Sequence, residues 1–285
     1  MTILITGTSG HLGHLVVDAL LARGAAADTI VAGARDVAKI ADLAERGVRT
    51  ARVDYDDAES LSAAFAGVDS VLLVSGSEPG RRLASHQNVI AAAAAAGVTK
   101  LVYTSAPKAT TFDWALGAEH MATVEAIAAS GIPAVIVRNN WYVENYLPDV
   151  QRAADSGVIA ASVGDARLAP ATRADLADGA AVVLLEDGHI GAVYEFAGDT
   201  RIGYDDIAAA AAEVLGRDVR YVRLTTEEHV AALEGAGLDA GTAGFVAGLD
   251  TGIRDGVLDV ADDTLSRLIG RPTTPFADGL RSALA

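Results

Sequence analysis

Between residues 2 and 24 the chain changes period, and that change constrains most of what can follow. Residues 2–6 (TILIT) are a short apolar, β-branched run, the pattern of a strand buried on both faces. They lead into Gly7-Thr8-Ser9-Gly10-His11-Leu12-Gly13. Beyond that turn Leu12, Leu15, Val16, Ala19 and Leu20 recur at helical spacing, with Gly24 as a stop. The first turn of a helix exposes backbone N–H groups without partners and the positive end of the dipole, so a pyrophosphate can sit there. Gly7 permits the tight turn, Gly10 lets phosphate oxygens approach, and Gly13 lets the helix lie close to the strand. The spacing is G-x-x-G-x-x-G, one residue longer in its first gap than the G-x-G-x-x-G of many dehydrogenases. The alternative is a βα turn that binds no phosphate.

The same alternation continues. Apolar strand-like runs at 29–34, 48–53, 69–74, 98–103 and 134–138 are separated by helical stretches at 37–46, 58–66, 81–96 and about 112–130. Six strands alternating with helices predict a doubly wound parallel α/β sheet of the Rossmann type. Ligands of such a sheet sit beyond the carboxyl ends of its strands. Those ends are residues 7–13, Arg35, Asp54-Tyr55, residues 75–77, Thr104-Ser105 and residues 139–145.

The second half is less regular. Residues 157–163 and 167–170 read as a pair of short strands, 173–186 as a helix and 192–197 as another strand; residues 204–215 form an alanine-rich helix. We expect a dinucleotide-binding domain over 1–145 and a smaller, mainly substrate-binding α/β cap over 146–285. Some later segments, around 190–200, would return to the sheet.

Composition removes several classes. A formal net charge of −16 repels nucleic-acid backbones and anionic membranes. With no cysteine there is no disulfide, thiolate zinc site, iron–sulfur cluster or thiol nucleophile. Six scattered histidines without H-E-x-x-H give no reason to expect a metal. The alanine run at 91–96 falls far short of the ~20 apolar residues that a membrane span needs, and the first strand begins at once, with no leader pattern. A soluble cytoplasmic protein is expected, and a homodimer is left open.

Arg35 is the first informative side chain. An acidic residue at the end of the second strand accepts from a ribose 2′-hydroxyl, whereas a 2′-phosphate calls for a cation. Arg35 occupies that place and Lys39 follows one turn later, favouring NADPH; Asp36 beside it keeps NADH open.

The set ITGTSGHLG, Arg35, VDYDD (53–57), LLVSGSE (72–78), LVYTS (101–105) and RNNWYVENY (138–146) resembles the NmrA-like branch of atypical short-chain dehydrogenases/reductases. Within it the chain is similar to the bacterial type-two, zinc-independent NADPH:quinone oxidoreductases, with triphenylmethane-dye reductases as cousins. TRADLADGAA (172–181), VYEFAGD (193–199) and LSRLIGRPTTP (265–275) carry the likeness nearly end to end. The resemblance implies that Gly7, Thr8, Ser9, Gly10, His11, Leu12 and Gly13 cradle the pyrophosphate and Arg35 the 2′-phosphate. Asp54 and Tyr55 would lie near the adenine. Ser75, Gly76 and Ser77 would lie beside the nicotinamide ribose, Thr104 would also be a cofactor-binding residue, and Tyr142, Glu144 and Asn145 would lie near the nicotinamide and acceptor.

One departure bears on the chemistry. Typical short-chain reductases carry Tyr-x-x-x-Lys on the helix after the fifth strand, the tyrosine giving a proton while the lysine lowers its pKa. Here the tyrosine position falls on Leu116 and the lysine position on His120. A quinone is a good hydride acceptor whose reduced anion is a stabilised phenolate, so positioning can suffice. His120 and Tyr142 are the candidate catalytic side chains; His86, Asn140 and Trp141 are candidates for the acceptor pocket. The expected activity is NADPH-dependent hydride reduction of quinones or similar electron-poor conjugated acceptors. The alternatives are a non-catalytic NADP(H) sensor acting through a protein partner and a reductase of one dedicated metabolite.

Overall fold

The computed structural model, which describes residues 1–76, 78, 80–111, 114 and 116–285, alternates strand and helix through its first half. The order is β1 (Ile3–Ile5), α1 (His11–Ala22), β2 (Ile30–Ala34), α2 (Ala41–Glu45), β3 (Arg49–Arg52), α3 (Ala58–Phe65), β4 (Ser70–Leu73), α4 (Arg82–Ala96), β5 (Lys100–Ser105), α5 (Gly117–Ser130) and β6 (Ala134–Asn139). There follow α6 (Leu147–Ser156), β7 (Val158–Ala161), β8 (Arg167–Leu168), α7 (Arg173–Leu185), β9 (Val193–Phe196), β10 (Ile202–Gly203), α8 (Tyr204–Leu215), β11 (Arg220–Arg223), α9 (Thr226–Gly235), α10 (Ala240–Arg254), α11 (Thr264–Ile269) and α12 (Phe276–Leu284).

The main sheet has the order β3-β2-β1-β4-β5-β6-β9. Its pairs from β3 through β6 are all parallel. β1, β2, β4 and β5 are buried along their whole length, as unbroken apolar runs require when helices cover both faces. The strand order reverses between β1 and β4, the position beyond which ligands of such sheets bind.

The chain divides into two compact units. The first comprises Met1–Thr110, Ala118–Asn139 and Arg173–Tyr194. Leu61 and Phe65 of α3, Val89 and Ile90 of α4 and Ile127 of α5 pack on one sheet face. On the other, α1 packs along α7. Lys100 Nζ donates to the carbonyls of Val183 and Leu184 (both 3.2 Å) and Glu186 (2.7 Å), satisfying the end of α7. α7 belongs to the first unit, which is therefore built from segments that are not contiguous in the chain.

The second unit comprises Thr111–Gly117, Asn140–Thr172 and Glu195–Ala285. Its two expected short strands do not pair with each other. β7 pairs in parallel with β11, and β8 runs antiparallel to β10. Alternating apolar residues in 219–224 gave β7 a distant partner, and non-local pairing of that kind leaves no local signal. Tyr146 meets Tyr204 and Phe276 edge-on at centroid distances of 5.7 and 5.5 Å, and Tyr204 packs on Tyr221 at 5.3 Å. Tyr146, Tyr204 and Tyr221 of this aromatic cluster are buried.

Candidate active site

The turn after β1 has the geometry the glycine spacing predicts. Gly7 lies in the left-handed region at φ +64°, where only a residue without Cβ sits without strain. A Cβ on Gly13 would come within 2.6 Å of the Gly7 carbonyl oxygen, and one on Gly10 within 3.3 Å of the same atom. Side chains there would fill the cradle. Gly10 caps α1 without a side-chain hydrogen bond, and the first turn carries no acidic residue. Its N–H groups and dipole are thus available to a dianion. Thr8 points the other way: its N–H and Oγ1 both donate to the Gly33 carbonyl, at 3.0 and 2.9 Å, tying the turn to β2. Ser9 and His11 are exposed, and Leu12 is buried.

Arg35 follows β2 directly, and its side chain is 75% exposed. Its one recorded ion pair is loose, Nη1 to Glu78 Oε1 at 3.6 Å. Asp36 is spent on capping the next turn, its Oδ1 accepting from the Ala38 N–H at 3.1 Å. The strand end therefore offers a cation, as a 2′-phosphate requires. Asp54 turns its carboxylate onto Arg52 and the Asp56 N–H. The Tyr55 ring reaches under the glycine turn, where its hydroxyl donates to the Val74 carbonyl.

After β4, Ser75 N–H donates to Thr104 Oγ1 at 2.8 Å, so buried Thr104 supports this loop from β5. Gly76 is held by two side chains of α4: its N–H donates to His86 Nε2 (3.0 Å), and its carbonyl accepts from Arg82 Nε (2.8 Å). Ser77 lies outside the described residues. His86 has no exposed surface, and both ring nitrogens are engaged, Nδ1 with Thr123 Oγ1 at 3.1 Å. It supports the loop and presents no face to a substrate. Its pKa is pushed down to about 3, first by burial and then by Arg82.

His120, at the lysine position, is also buried. Its Nδ1 meets the Tyr103 hydroxyl at 2.7 Å, and burial, Arg82 and His86 lower its pKa to about 3. The imidazole is neutral at physiological pH, so it is no cationic substitute for the lysine. Leu116 stands at the tyrosine position and offers no proton. Ser105 Oγ is buried and has no hydrogen-bond partner among the described residues, so none of them activates it.

The remaining candidates belong to the second unit. Asn140 is buried and fully committed to backbone: Nδ2 donates to the Leu258 and Val260 carbonyls, and Oδ1 accepts from the Trp141 N–H. It holds segments together instead of facing an acceptor. Trp141, Tyr142, Glu144 and Asn145 are half-buried, whereas Val143 and Tyr146 turn inward. Tyr142 bridges to Ala171, and the Val143 N–H donates to the Ala171 carbonyl, fixing the start of this turn.

Sequence reasoning missed Arg82, Glu119 and Thr123. The signal was present: Arg82 and His86 are one turn apart on α4, as are Glu119 and Thr123 on α5. It also missed a buried Ser162–His229–Asp250 cluster in the second unit. There Asp250 Oδ2 takes the Ser162 N–H (2.7 Å), the Ser162 hydroxyl (3.1 Å) and His229 Nδ1 (2.9 Å). A hydrolase needs the imidazole between serine and carboxylate, with a different nitrogen for each. This cluster is a fastening. Among the described residues no His/Cys/Asp/Glu group could hold a metal, and no helix is long and apolar enough to cross a membrane.

The NmrA-like family pattern matches residues 1–247. The chain belongs to the NmrA-like family. It is 42% identical over 278 residues to quinone oxidoreductase 2 of Escherichia coli strain K12, covering 98% of this chain and 97% of that one. A crystal structure of an NADPH-dependent quinone oxidoreductase from E. coli, complexed with NADPH, matches over all of both chains with a TM-score of 0.95. The Citrobacter sp. triphenylmethane reductase complexed with NADP(H) matches at TM-score 0.93 and 33% identity, over 99% of this chain and 100% of that one. The family and the Rossmann-type α/β fold expected from the sequence are both shown.

Proposed function

We propose that this NmrA-like protein is an NADPH-dependent oxidoreductase that reduces quinones, or similar electron-poor conjugated acceptors, by two electrons. The observation that carries the reading is the end-to-end likeness, at 42% identity, to an NADPH-dependent quinone oxidoreductase. The residues of this chain fit the cofactor. The N–H groups of the first turn of α1, from His11 to Gly13, would face a pyrophosphate, Arg35 would pair with the 2′-phosphate, and Thr104 with Gly76 shapes the strand ends beyond β4 and β5.

Bound NADPH would supply a hydride to the acceptor. The protein's contribution is orientation, because no described side chain at the Tyr-x-x-x-Lys positions can give a proton. A quinone that accepts a hydride becomes a stabilised phenolate and takes its proton from water. Neutral His120 adds no charge that would bind such an anion as product. Tyr142, Glu144 and Asn145 are proposed to lie at the nicotinamide and acceptor, with half-buried Trp141 beside them. On this reading the protein works in the cytoplasm, as a monomer or a homodimer that sedimentation velocity would distinguish. No feature favours a sensor that binds NADP(H) without turnover. The test is NADPH oxidation with a panel of simple benzoquinones and naphthoquinones: many turnovers per protein support the reading, and binding without turnover refutes it.

A further inference from the structure

The loop after β4 is held by a network that reaches through two helices. His86 Nε2 accepts from the Gly76 N–H at 3.0 Å, and Arg82 Nε donates to the Gly76 carbonyl at 2.8 Å. Each of these side chains is braced in turn from α5. Arg82 Nη1 pairs with Glu119 Oε2 at 2.6 Å, and Glu119 Oε1 accepts from the Gly80 N–H at 2.7 Å. Thr123 donates its own hydrogen to the Glu119 carbonyl (2.9 Å), which leaves its oxygen to accept from His86 Nδ1–H (3.1 Å). With Nδ1 carrying the hydrogen, Nε2 has the lone pair that the Gly76 N–H needs, so the network fixes one tautomer. Arg82 and His86 are 7% and 0% exposed, so these bonds do not compete with water.

We propose that His86 and Arg82 are positioning residues for the nicotinamide half of the dinucleotide. They act by fixing the peptide groups on either side of the Gly76 Cα. The inference rests on the cofactor reading above. In a planar trans peptide, N–H and C=O point in opposite directions. Anchoring the Gly76 N–H on His86 therefore turns the Ser75 carbonyl away from that helix. It becomes a fixed acceptor for a hydroxyl or amide hydrogen of the ligand. The loop lies directly on the ring: a Cβ at position 76 would sit at ordinary contact distance, 3.8 Å, from His86 Nε2. Among the described residues no side chain of the network bonds to the glycine turn at 7–13, and Arg35 meets the loop through its loose 3.6 Å pair with Glu78, so the adenosine 2′-phosphate half should depend on the network far less.

Isothermal titration with two ligands separates the halves. NADP⁺ contains both, and adenosine 2′,5′-bisphosphate contains only the adenosine side. In His86→Asn the amide cannot reach as far as Nε2, and the NADP⁺ Kd should rise about tenfold, the cost of one buried hydrogen bond. The Kd for adenosine 2′,5′-bisphosphate should stay unchanged. His86→Gln places an acceptor close to the Nε2 position and should recover most of the affinity. Thr123→Val, which removes the brace but not the clamp, should shift the NADP⁺ Kd in the same direction by less. If His86→Asn weakens both ligands alike, leaves both untouched, or matches His86→Gln, the clamp is overturned while the cofactor reading stands. A parent protein that binds neither ligand overturns both.

Discussion

The Tyr55 hydroxyl lies 2.5 Å from Thr6 Oγ1 and donates to the Val74 carbonyl at 2.8 Å, fastening the ends of β1 and β4 together beneath the glycine turn. Thr6 completes the junction by accepting from the Val74 N–H at 3.0 Å and donating to the Leu72 carbonyl at 3.0 Å. These are the strands where the sheet order reverses. Burial raises the Tyr55 pKa well above its ordinary value, so the phenol keeps its hydrogen. Tyr55→Phe should cost about 1–2 kcal/mol in urea unfolding, because it strands a partly buried carbonyl and weakens the contact to Thr6. Unchanged stability would show that the junction is held by the strands alone.

Gly13 and Gly244 make an opposed pair. At Gly13 an added methyl would meet the Gly7 carbonyl at 2.6 Å, backbone that cannot move aside without opening the turn. Gly13→Ala should destabilise by about 1–3 kcal/mol and weaken NADP⁺ binding more than tenfold. Gly244 sits exposed inside α10 with nothing near its would-be Cβ. Gly244→Ala should stabilise by about 0.5–1 kcal/mol and leave binding alone. Thermal unfolding and titration of the two variants check both.

Acid should weaken the fold through the two buried imidazoles. His86 and His120 have folded-state pKa values of about 3, against ~6.5 unfolded. The unfolded chain therefore binds more protons between these values, and stability rises with pH across that window. Their contribution is complete above pH ~6.5 and is lost progressively as pH falls towards 3. Each should account for roughly 1–2 kcal/mol of lost stability at pH 5.5. His120→Gln should flatten the urea-unfolding profile between pH 7.5 and 5.5 by about that amount; an unchanged slope would place the charge uptake elsewhere.

In the second unit, Asp250→Ala removes the acceptor for the Ser162 N–H, the Ser162 hydroxyl and His229 at once. Three buried donors lose their partner, and the cost should be about 2–4 kcal/mol. Asp250→Asn keeps one oxygen and should cost less. Neither variant should show or lose esterase activity with p-nitrophenyl acetate, since the cluster lacks the alignment of a triad.

The parts of this molecule that were legible in its sequence are those set by local physics. A run such as TILIT must be buried, and a glycine such as Gly13 must allow close approach. A cation at Arg35 stands out because the end of the second strand is countable from the motif. What was hidden depends on side chains meeting across many residues. Asn140 reads as polar and available, yet its amide is consumed by carbonyls at 258 and 260. His86 reads as an aromatic wall for an acceptor, yet it sits beneath a backbone loop. The partners of β7 and β8 were hidden for the same reason: each pairs with a strand far along the chain. α7 could be recognised as a helix but not assigned to the first unit, since its hydrophobicity is spread all around its circumference and most of its residues are buried.

The most direct test compares kcat/KM for NADPH and NADH, with a benzoquinone as acceptor, in the parent protein and in Arg35→Ala. The parent should prefer NADPH, and the variant should lose that preference by about ten- to a hundredfold, through a higher KM for NADPH with little change for NADH. An NADPH:NADH ratio that survives the loss of the guanidinium would contradict the account at its centre.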